Sequence, residues 1–480
     1  MRVVIVGYGM AGSRLASELH ARDADLKVTV LGAEPHRAYN RILLSNLLAG
    51  KVAEPDVALT EAAGHGLDVR AGVAVRAVDR AARRVTTADG DVLEYDHLVL
   101  ATGSRPVVPP LAGLDRADLP ARVAVFRTLE DCRRILAAAA GARSALVLGC
   151  GLLGLEAARG LAARGLDVRV VHAVGHLMDR QLDRAAGDIL ARTLTGLGVG
   201  TELAAAAQAV DARADGVTLG LSDGRTLAAD LLVIACGVRP ETALAQATGL
   251  AVEHGIVVDD ALRTSDPHIS AIGDCAQHAG AVSGLVAPAW EQARVVAQLL
   301  AGDDPAARYA ATPPVTRLKA AGIDLAAMGQ TSRADPAHEE LCFADPARGT
   351  YAKLVLAGDR LAGAIMLGDN PGVGTVIQLF DRGAPVPADR RALLLGRAIG
   401  GSATPVAETP ALMPDAATVC QCNTVSKGAL VRCWRAGARS VDQVVARTRA
   451  TTGCGTCKDA VEGIVGWLSS VDSPVGVASE

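Results

Sequence analysis

The sequence predicts an α/β chain: two Rossmann-like nucleotide-binding domains, then a small α+β domain and a small helical module. Two observations carry the first part. A phosphate-loop glycine pattern occurs twice, as Gly7-Tyr8-Gly9-Met10-Ala11-Gly12 and as Gly149-Cys150-Gly151-Leu152-Leu153-Gly154. Each copy follows an aliphatic run, enters a helical stretch and is closed much later by a loop of like sequence. A third observation marks the end of the chain. Cys420 and Cys422 form a C-x-C pair, and Cys454 and Cys457 form a C-x-x-C pair about thirty residues later.

Length and composition set the bounds. A chain of 480 residues accommodates about three domains. A net charge of −4 with 21% charged residues argues against a nucleic-acid partner, which needs a basic patch to release counterions. Aromatic residues at 2% leave no stacking platform for bases. Met1-Arg2 runs straight into Val3-Val4-Ile5-Val6 and a glycine loop, so no targeting segment is read there. The most apolar window, Ala145 to Leu155, is interrupted by glycines and too short to span a bilayer. The expectation is a cytoplasmic chain with no membrane contact, and a homodimer is left open. Ten cysteines in that setting point to metal rather than disulfides. Cys132, Cys150, Cys236, Cys275, Cys342 and Cys433 are scattered and read as small core or loop residues.

Taken in order, the first repeat predicts a helix over Ala11–Ala21 and a strand over Lys27–Leu31. The second predicts a helix over Leu153–Arg164 and a strand over Asp167–Val171. The closing loops are Ala101-Thr102-Gly103-Ser104-Arg105-Pro106 and Ala235-Cys236-Gly237-Val238-Arg239-Pro240. In each glycine loop one glycine permits the turn, one lets backbone N–H groups approach a pyrophosphate, and one lets helix pack on strand. The anion then faces unsatisfied N–H donors at the positive end of the helix dipole. Glu34, at the end of the first returning strand, is placed to accept both ribose hydroxyl hydrogens of an adenosine. The second repeat offers His172 as the corresponding residue. Neutral histidine neither decisively selects NAD nor decisively welcomes the 2′-phosphate of NADP, and Arg169 is close by; the rival reading is that His172 simply caps its strand.

The segment Thr264-Ser265-Asp266-Pro267-His268-Ile269-Ser270-Ala271-Ile272-Gly273-Asp274 makes a resemblance specific. The layout is similar to the pyridine nucleotide–disulfide reductase superfamily, in which the Asp of a Gly-Asp pair holds the FAD ribitol. By that likeness Asp274 closes the FAD site opened by Gly7, Gly9, Gly12 and Glu34, with Thr102 and Gly103 beside it. Gly149, Gly151, Gly154, His172 and Gly237 then belong to an NAD(P)H site. The superfamily's disulfide reductases carry a C-x4-C pair on the helix facing the flavin. Here Tyr39 to Leu48 contains no cysteine, which excludes dithiol chemistry at that site. The segment resembles instead the Tyr-Asn-Arg…Leu-Ser stretch of NAD(P)H nitrite reductase large subunits, which implies cofactor contacts at Asn40, Arg41 and Ser45. Related rubredoxin reductases have Lys after that Ser; this chain has Asn46. The likeness continues through Pro288–Arg294 and Thr316–Asp324, and a strand-rich stretch at Tyr351–Leu367 reads as an interface domain. Glu156 resembles an acid that approaches the nicotinamide in relatives, although it could simply be a helix N-terminal acid.

The expected organisation is an FAD-binding domain at 1–115 and 245–312, an NAD(P)-binding domain at 116–244, and a small α+β interface domain at 313–399. A linker at 400–418 then leads to a small helical domain at 419–470. Four thiolates also suit structural zinc. The C-x-C plus C-x-x-C spacing resembles the bacterioferritin-associated ferredoxin-like domain, which implies a [2Fe–2S] cluster on Cys420, Cys422, Cys454 and Cys457. Both pairs are expected in loops just before helices, where thiolates are stabilised. No siroheme ligand set of C-x5-C…C-x3-C form is present. The chain thus resembles an electron-transfer subunit of assimilatory nitrate reductase, implying a separate catalytic nitrate or nitrite reductase subunit as electron acceptor. Two rival readings remain: the flavoprotein subunit of an opine or amino-acid dehydrogenase, and an NADH-responsive redox sensor.

Overall fold

This computed structural model describes residues 1–23, 25–59, 66–311, 313, 315–320, 322–332, 335–370, 372–395, 410–420, 425–451 and 457–472. The chain forms two compact units, Met1–Gly396 and Arg397–Glu480. Among the described residues, no helix is long and apolar enough to cross a membrane.

The first unit holds two five-stranded parallel sheets of the same plan. One is ordered Ile269–Ala271, His97–Leu100, Arg2–Val6, Lys27–Gly32, Leu67–Ala71. The other is ordered Val123–Val125, Leu231–Ile234, Ser144–Leu148, Asp167–Val171, Val199–Glu202. The strands inside each sheet are largely aliphatic, as a sheet covered on both faces requires; His97–Leu100 and Leu231–Ile234 are buried at every position, whereas the edge strand Leu67–Ala71 is mostly exposed. Each sheet also sends out a three-stranded antiparallel excursion, at Val75–Glu94 and Ala207–Ala229. The two closing loops pair with one another, Ser104–Pro106 running antiparallel to Val238–Pro240. The first sheet is thus assembled from two stretches of chain with the second sheet inserted between them.

The helices after the glycine loops are Met10–Arg22 and Leu152–Ala163, each one residue earlier at its start than the sequence pattern predicts. Helix Val286–Ala301 lies against the first of these, and Trp290 Nε1 donates to the carbonyl of Met10 at 3.1 Å. Past residue 314 comes a five-stranded antiparallel sheet ordered Val315–Ala320, Ile323–Gly329, Arg360–Leu367, Thr350–Ala357, Glu339–Asp345. It begins well before the strand-rich stretch legible in the sequence. One face joins the second parallel sheet in a shared core through Leu318, Leu325, Tyr351 and Ile365. The other face packs under helix Val373–Arg382 through Met328, Leu354 and Val376.

In the second unit a strand pair, Thr418–Cys420 with Val425–Ser426, precedes helices Lys427–Arg435, Val441–Thr448 and Lys458–Asp472. Residues 400–409 of the expected linker lie outside the described residues. The remainder differs from an irregular tether: Pro410–Leu412 form a 3-10 turn and Thr418 opens a strand. At the start of helix Val441–Thr448 the sequence Ser440-x-x-Gln443 makes half of a capping box. Ser440 Oγ accepts from Gln443 N–H at 3.2 Å, but Gln443 Oε1 accepts from Arg439 N–H at 2.8 Å rather than from the cap itself.

One polar knot ties the antiparallel sheet to the second parallel sheet. Asp183 caps helix Arg184–Gly196 by accepting from Ala186 N–H at 3.0 Å. The same carboxylate accepts from the Tyr351 hydroxyl at 2.8 Å and from buried Lys353 at 3.1 Å, and Glu340 lies 3.1 Å from Lys353. Replacing Asp183 with Ala removes a cap and half of a buried ammonium's neutralisation. Asp183→Ala should destabilise the chain by roughly 2 kcal/mol, read as a lowered Tm by calorimetry; an unchanged Tm would show the knot is dispensable.

Candidate functional site

The two glycine loops form matching cradles. Gly7 and Gly149 adopt φ of +115° and +107°, and a Cβ there would fall 2.1 Å from Ala101 O and 2.4 Å from Ala235 O. Those carbonyls belong to the closing loops, so each turn is wedged against the residue just before Thr102 or Cys236. Gly12 and Gly154 bring helix onto loop, since a Cβ would lie 1.9 Å from Gly7 O and 2.2 Å from Gly149 O. The middle glycines differ in kind. Gly151 faces nothing within 4 Å, and Gly9 meets only the Arg41 guanidinium at 4.0 Å. Tight outer glycines around an open middle one leave a surface of backbone N–H groups for a pyrophosphate. The residues present therefore fit a dinucleotide in each half.

Around the first cradle two carboxylates are held by arginines. Glu34 accepts from Arg41 Nη2, and from the Tyr39 hydroxyl at 2.6 Å. The Arg41 guanidinium also lies over the Tyr39 ring at 4.9 Å and reaches the Arg127 carbonyl at 3.2 Å. Asn40 is buried and caps a 3-10 turn by accepting from Ile42 N–H at 3.0 Å. Asp274 follows Gly273, which has φ of +78° and at which a Cβ would lie 3.0 Å from Ala11 Cβ at the helix start. The carboxylate of Asp274 accepts from Ser104 Oγ at 2.8 Å and from Arg127 at 2.5 Å. Thr102 Oγ donates to the Glu241 carbonyl at 2.6 Å, and the carbonyls of Gly103 and Gly237 accept from Glu241 and Val107 N–H, both at 2.9 Å. These three residues thus stitch the halves together.

Arg127, Tyr39 and Ser104 were not singled out from the sequence. A usable signal existed for Arg127, which directly precedes the capping box of Thr128 and Asp131. That box anchors the arginine's own N–H on Asp131 at 3.0 Å.

The second cradle corrects one correspondence. Gly7 N–H bonds Leu31 O and Gly149 N–H bonds Val171 O. That register aligns His172 with Gly32, and Val174 with Glu34. A Cβ at Gly32 would lie 2.6 Å from Tyr8 Cβ. Large Tyr8 beside Gly32 in one half becomes small Cys150 beside His172 in the other, a volume exchange that lets a side chain stand at the strand end. His172 Nε2 lies 3.0 Å from Asp179 Oδ1. Donor atoms of Cys150, His172 and Asp179 all fall within 4.8 Å of one another, but the thiol of this set is held neutral and so is poorly suited to a metal. Burial pushes the Cys150 thiol up to about 12, and its sulfur accepts from Met178 N–H at 3.4 Å.

Ser45 and Glu156 meet where the halves join. Gly160 lets helix Leu152–Ala163 approach helix Leu44–Leu48, since a Cβ there would lie 3.3 Å from Leu48 Cγ. Burial pushes the Glu156 carboxyl up to about 7, opposed by a hydrogen bond from Ser45. A carboxyl so shifted can hold or release a proton near neutral pH.

Cys420 ends a strand rather than leading into a helix, whereas Cys457 directly precedes helix Lys458–Asp472 and its carbonyl accepts from Val461 N–H at 2.9 Å. Both thiols are buried. Cys422 and Cys454 lie outside the described residues. A buried thiol at the start of a fifteen-residue helix is suited to metal ligation as thiolate. Elsewhere Cys132 and Cys275 are buried and their thiols pushed up by burial, as expected of core residues. Cys342 departs from that reading, being exposed on an edge strand.

Two outcomes follow from this geometry. Gly151→Ala should leave the Tm unchanged yet weaken NAD(P)H binding about tenfold by crowding the pyrophosphate, whereas Gly154→Ala should lower the Tm outright; equal effects on folding would refute the distinction. For Glu156, a raised native pKa favours folding of the protonated form. Its contribution is present below the ordinary value of 4.5 and lost as pH rises through about 7. Glu156→Gln should therefore gain more stability over the native chain above about pH 7 than below about pH 5 in urea unfolding; a pH-independent difference would disprove the shift.

The site's geometry has counterparts among known proteins. Residues 1–295 match the pyridine nucleotide-disulphide oxidoreductase family, 314–377 the rubredoxin NAD+ reductase C-terminal domain, and 418–467 the BFD-like [2Fe-2S] binding domain. The assimilatory nitrate reductase electron transfer subunit of Bacillus subtilis is 35% identical over 98% of this chain and 60% of its own length. The nitrite reductase [NAD(P)H] of the same organism is 36% identical over 97% of this chain and 57% of its own. The chain thus spans under two thirds of these relatives. Among solved structures, a ferredoxin reductase from Rhodopseudomonas palustris superposes with a TM-score of 0.72 at 28% identity, covering 80% of this chain and 95% of that one. Putidaredoxin reductase in its covalent complex with putidaredoxin gives 0.72 at 27% identity, covering 80% and 94%. The chain belongs to the pyridine nucleotide-disulphide oxidoreductase family and carries a BFD-like [2Fe-2S] binding domain toward its C-terminus.

Proposed function

We propose that this chain is an electron-transfer subunit that draws reducing equivalents from NAD(P)H and delivers them singly, through its C-terminal cluster, to a separate catalytic nitrate or nitrite reductase subunit. Bound FAD supplies the step from paired to single electrons. The observation that carries this reading is where thiols are and are not. Tyr39 to Leu48, the stretch that carries a redox dithiol in disulfide reductases, has no cysteine, and the paired cysteines of the chain are Cys420, Cys422, Cys454 and Cys457. Electrons entering at the glycine cradles then have a sulfur-ligated exit only at the C-terminus.

The chain's own residues are assigned as follows. Gly7, Gly9 and Gly12 cradle the FAD pyrophosphate, Glu34 and Asp274 receive its ribose and ribitol hydroxyls, and Arg41 and Arg127 orient those carboxylates. Thr102, Gly103 and Gly237 keep the two halves in register, while Asn40 holds the turn that carries Arg41 and Ser45 bonds Glu156 beside the cofactors. Gly149, Gly151 and Gly154 hold the NAD(P)H pyrophosphate beside His172. Glu156 is the proton-exchanging group at the junction, suited to oxidation of a hydride donor, which leaves one proton for every two electrons sent on. The nitrate or nitrite assignment rests on relatives that align along nearly the whole chain.

An anaerobic titration tests the route. NADH or NADPH should bleach the flavin absorbance and then generate the electron paramagnetic resonance signal of a reduced [2Fe–2S] cluster. Cys457→Ser should leave flavin bleaching intact while removing that signal and reduction of a one-electron partner. Undiminished delivery by the variant would refute the exit; bleaching by an amino acid but by neither nucleotide would favour a dehydrogenase instead.

A further inference from the structure

We propose that Asp179, acting through His172, makes the second glycine site select NADH over NADPH. The inference deepens the NAD(P)H-site reading of Gly149–Gly154 and rests on it. His172 stands at the carboxyl end of strand Asp167–Val171, beside the strand that feeds the glycine loop, and ligands of such sheets sit outside those ends. Its backbone is fixed on both sides: its N–H donates to Glu202 O and its carbonyl accepts from Ala205 N–H, both at 2.9 Å. The ring is fixed by one contact, Nε2 to Asp179 Oδ1 at 3.0 Å. Among the described residues no protein group bonds Nδ1.

Asp179 reaches His172 because the preceding residue takes an unusual backbone. Met178 has φ of +51° though it is not glycine, and its side chain is buried. That left-handed turn aims its N–H at Cys150 Sγ, 3.4 Å away, and delivers Asp179 to the strand end. The glycine loop and the acidic loop are therefore joined through a residue held in a strained conformation.

The pair's chemistry discriminates between the two nucleotides. With Nε2–H directed at a carboxylate, neutral imidazole presents Nδ1 as an acceptor. The 2′-hydroxyl of NADH has a hydrogen to donate to such an acceptor. The 2′-phosphate of NADPH, at neutral pH, has only acceptors and negative charge, and it would stand beside the Asp179 carboxylate. Neighbouring cations are engaged elsewhere: Arg169 and Arg225 with Glu202 at 3.0 and 2.9 Å, and Arg184 with Asp188 at 3.8 Å. The rival is Arg180, exposed next to Asp179 and without an ion pair among the described residues, which could receive a 2′-phosphate.

Calorimetric binding of ADP-ribose and 2′-phospho-ADP-ribose to the holoprotein separates these readings without relying on turnover. The native protein should bind ADP-ribose more tightly. Asp179→Asn should narrow the difference about tenfold or more by admitting the phosphate, with Arg180→Gln leaving the ratio in place. In steady-state assays the Asp179→Asn change should appear in KM for NADPH rather than in kcat, since the reacting ring is remote; Asp179→Ser should act in the same direction. Binding of both fragments with a ratio that Asp179→Asn does not move would overturn the proposal alone, as would a preference for the phosphorylated fragment that Arg180→Gln abolishes. Binding of neither would overturn the nucleotide-site reading and the proposal with it.

Discussion

A contact between glycine and carbonyl, closer than any side chain permits, underlies both nucleotide sites. Gly7 lies against Ala101 O and Gly149 against Ala235 O, in each case across the two strands that end beneath the loop. This contact fixes where the loop turns, and the loop fixes the helix that follows through Gly12 or Gly154. The closing loops then pair antiparallel, Arg105 with Arg239. Two distant cradles are thereby held in one frame, and relative placement is what hydride transfer demands of a protein whose cofactors carry the chemistry.

Electrostatics add a second layer to that frame. Glu34 and Asp274 come from opposite ends of the first sheet's sequence, yet each is paired with an arginine and a hydroxyl. Arg41 bonds the carbonyl of Arg127, so the two ion pairs are linked. Each carboxylate keeps lone pairs free beyond its arginine and hydroxyl, so it can still accept from sugar hydroxyls. A pairing that orients without saturating is a sound way to build a polyhydroxyl site before the ligand arrives.

The legible part of this chain was its backbone logic. Glycine positions, aliphatic strands and the Gly-Asp loop are dictated by local sterics, and the strands and helices read from them lie within a residue or two of those observed. Side chains that act from afar were not legible. Arg127 sits more than a hundred residues from Asp274 in sequence, and nothing local announces their contact. The correspondence of His172 with Glu34 failed for a related reason. Counting residues past a glycine loop does not reveal a two-residue offset that only strand register fixes. Cys420 was expected before a helix and ends a strand, because the pattern of small polar residues around it suits either.

The distribution of thiol environments argues for a single sulfur exit. Cys132, Cys150 and Cys275 are enclosed by apolar neighbours, and Cys236 is partly so; burial holds all four as neutral thiols. Several are also donors to backbone carbonyls, Cys275 to Leu100 at 3.4 Å and Cys236 to Leu148 at 3.5 Å. Such thiols are poor nucleophiles and poor ligands, since ionising them would forfeit a hydrogen bond and leave charge in a low-dielectric core. Around the two glycine cradles, these buried thiols are thus chemically silent. Cys457 is buried too, but at a helix start whose unsatisfied N–H groups favour a thiolate. The contrast among these buried thiols lies in backbone dipoles rather than exposure, and it supports a sulfur exit through Cys457 and its neighbours.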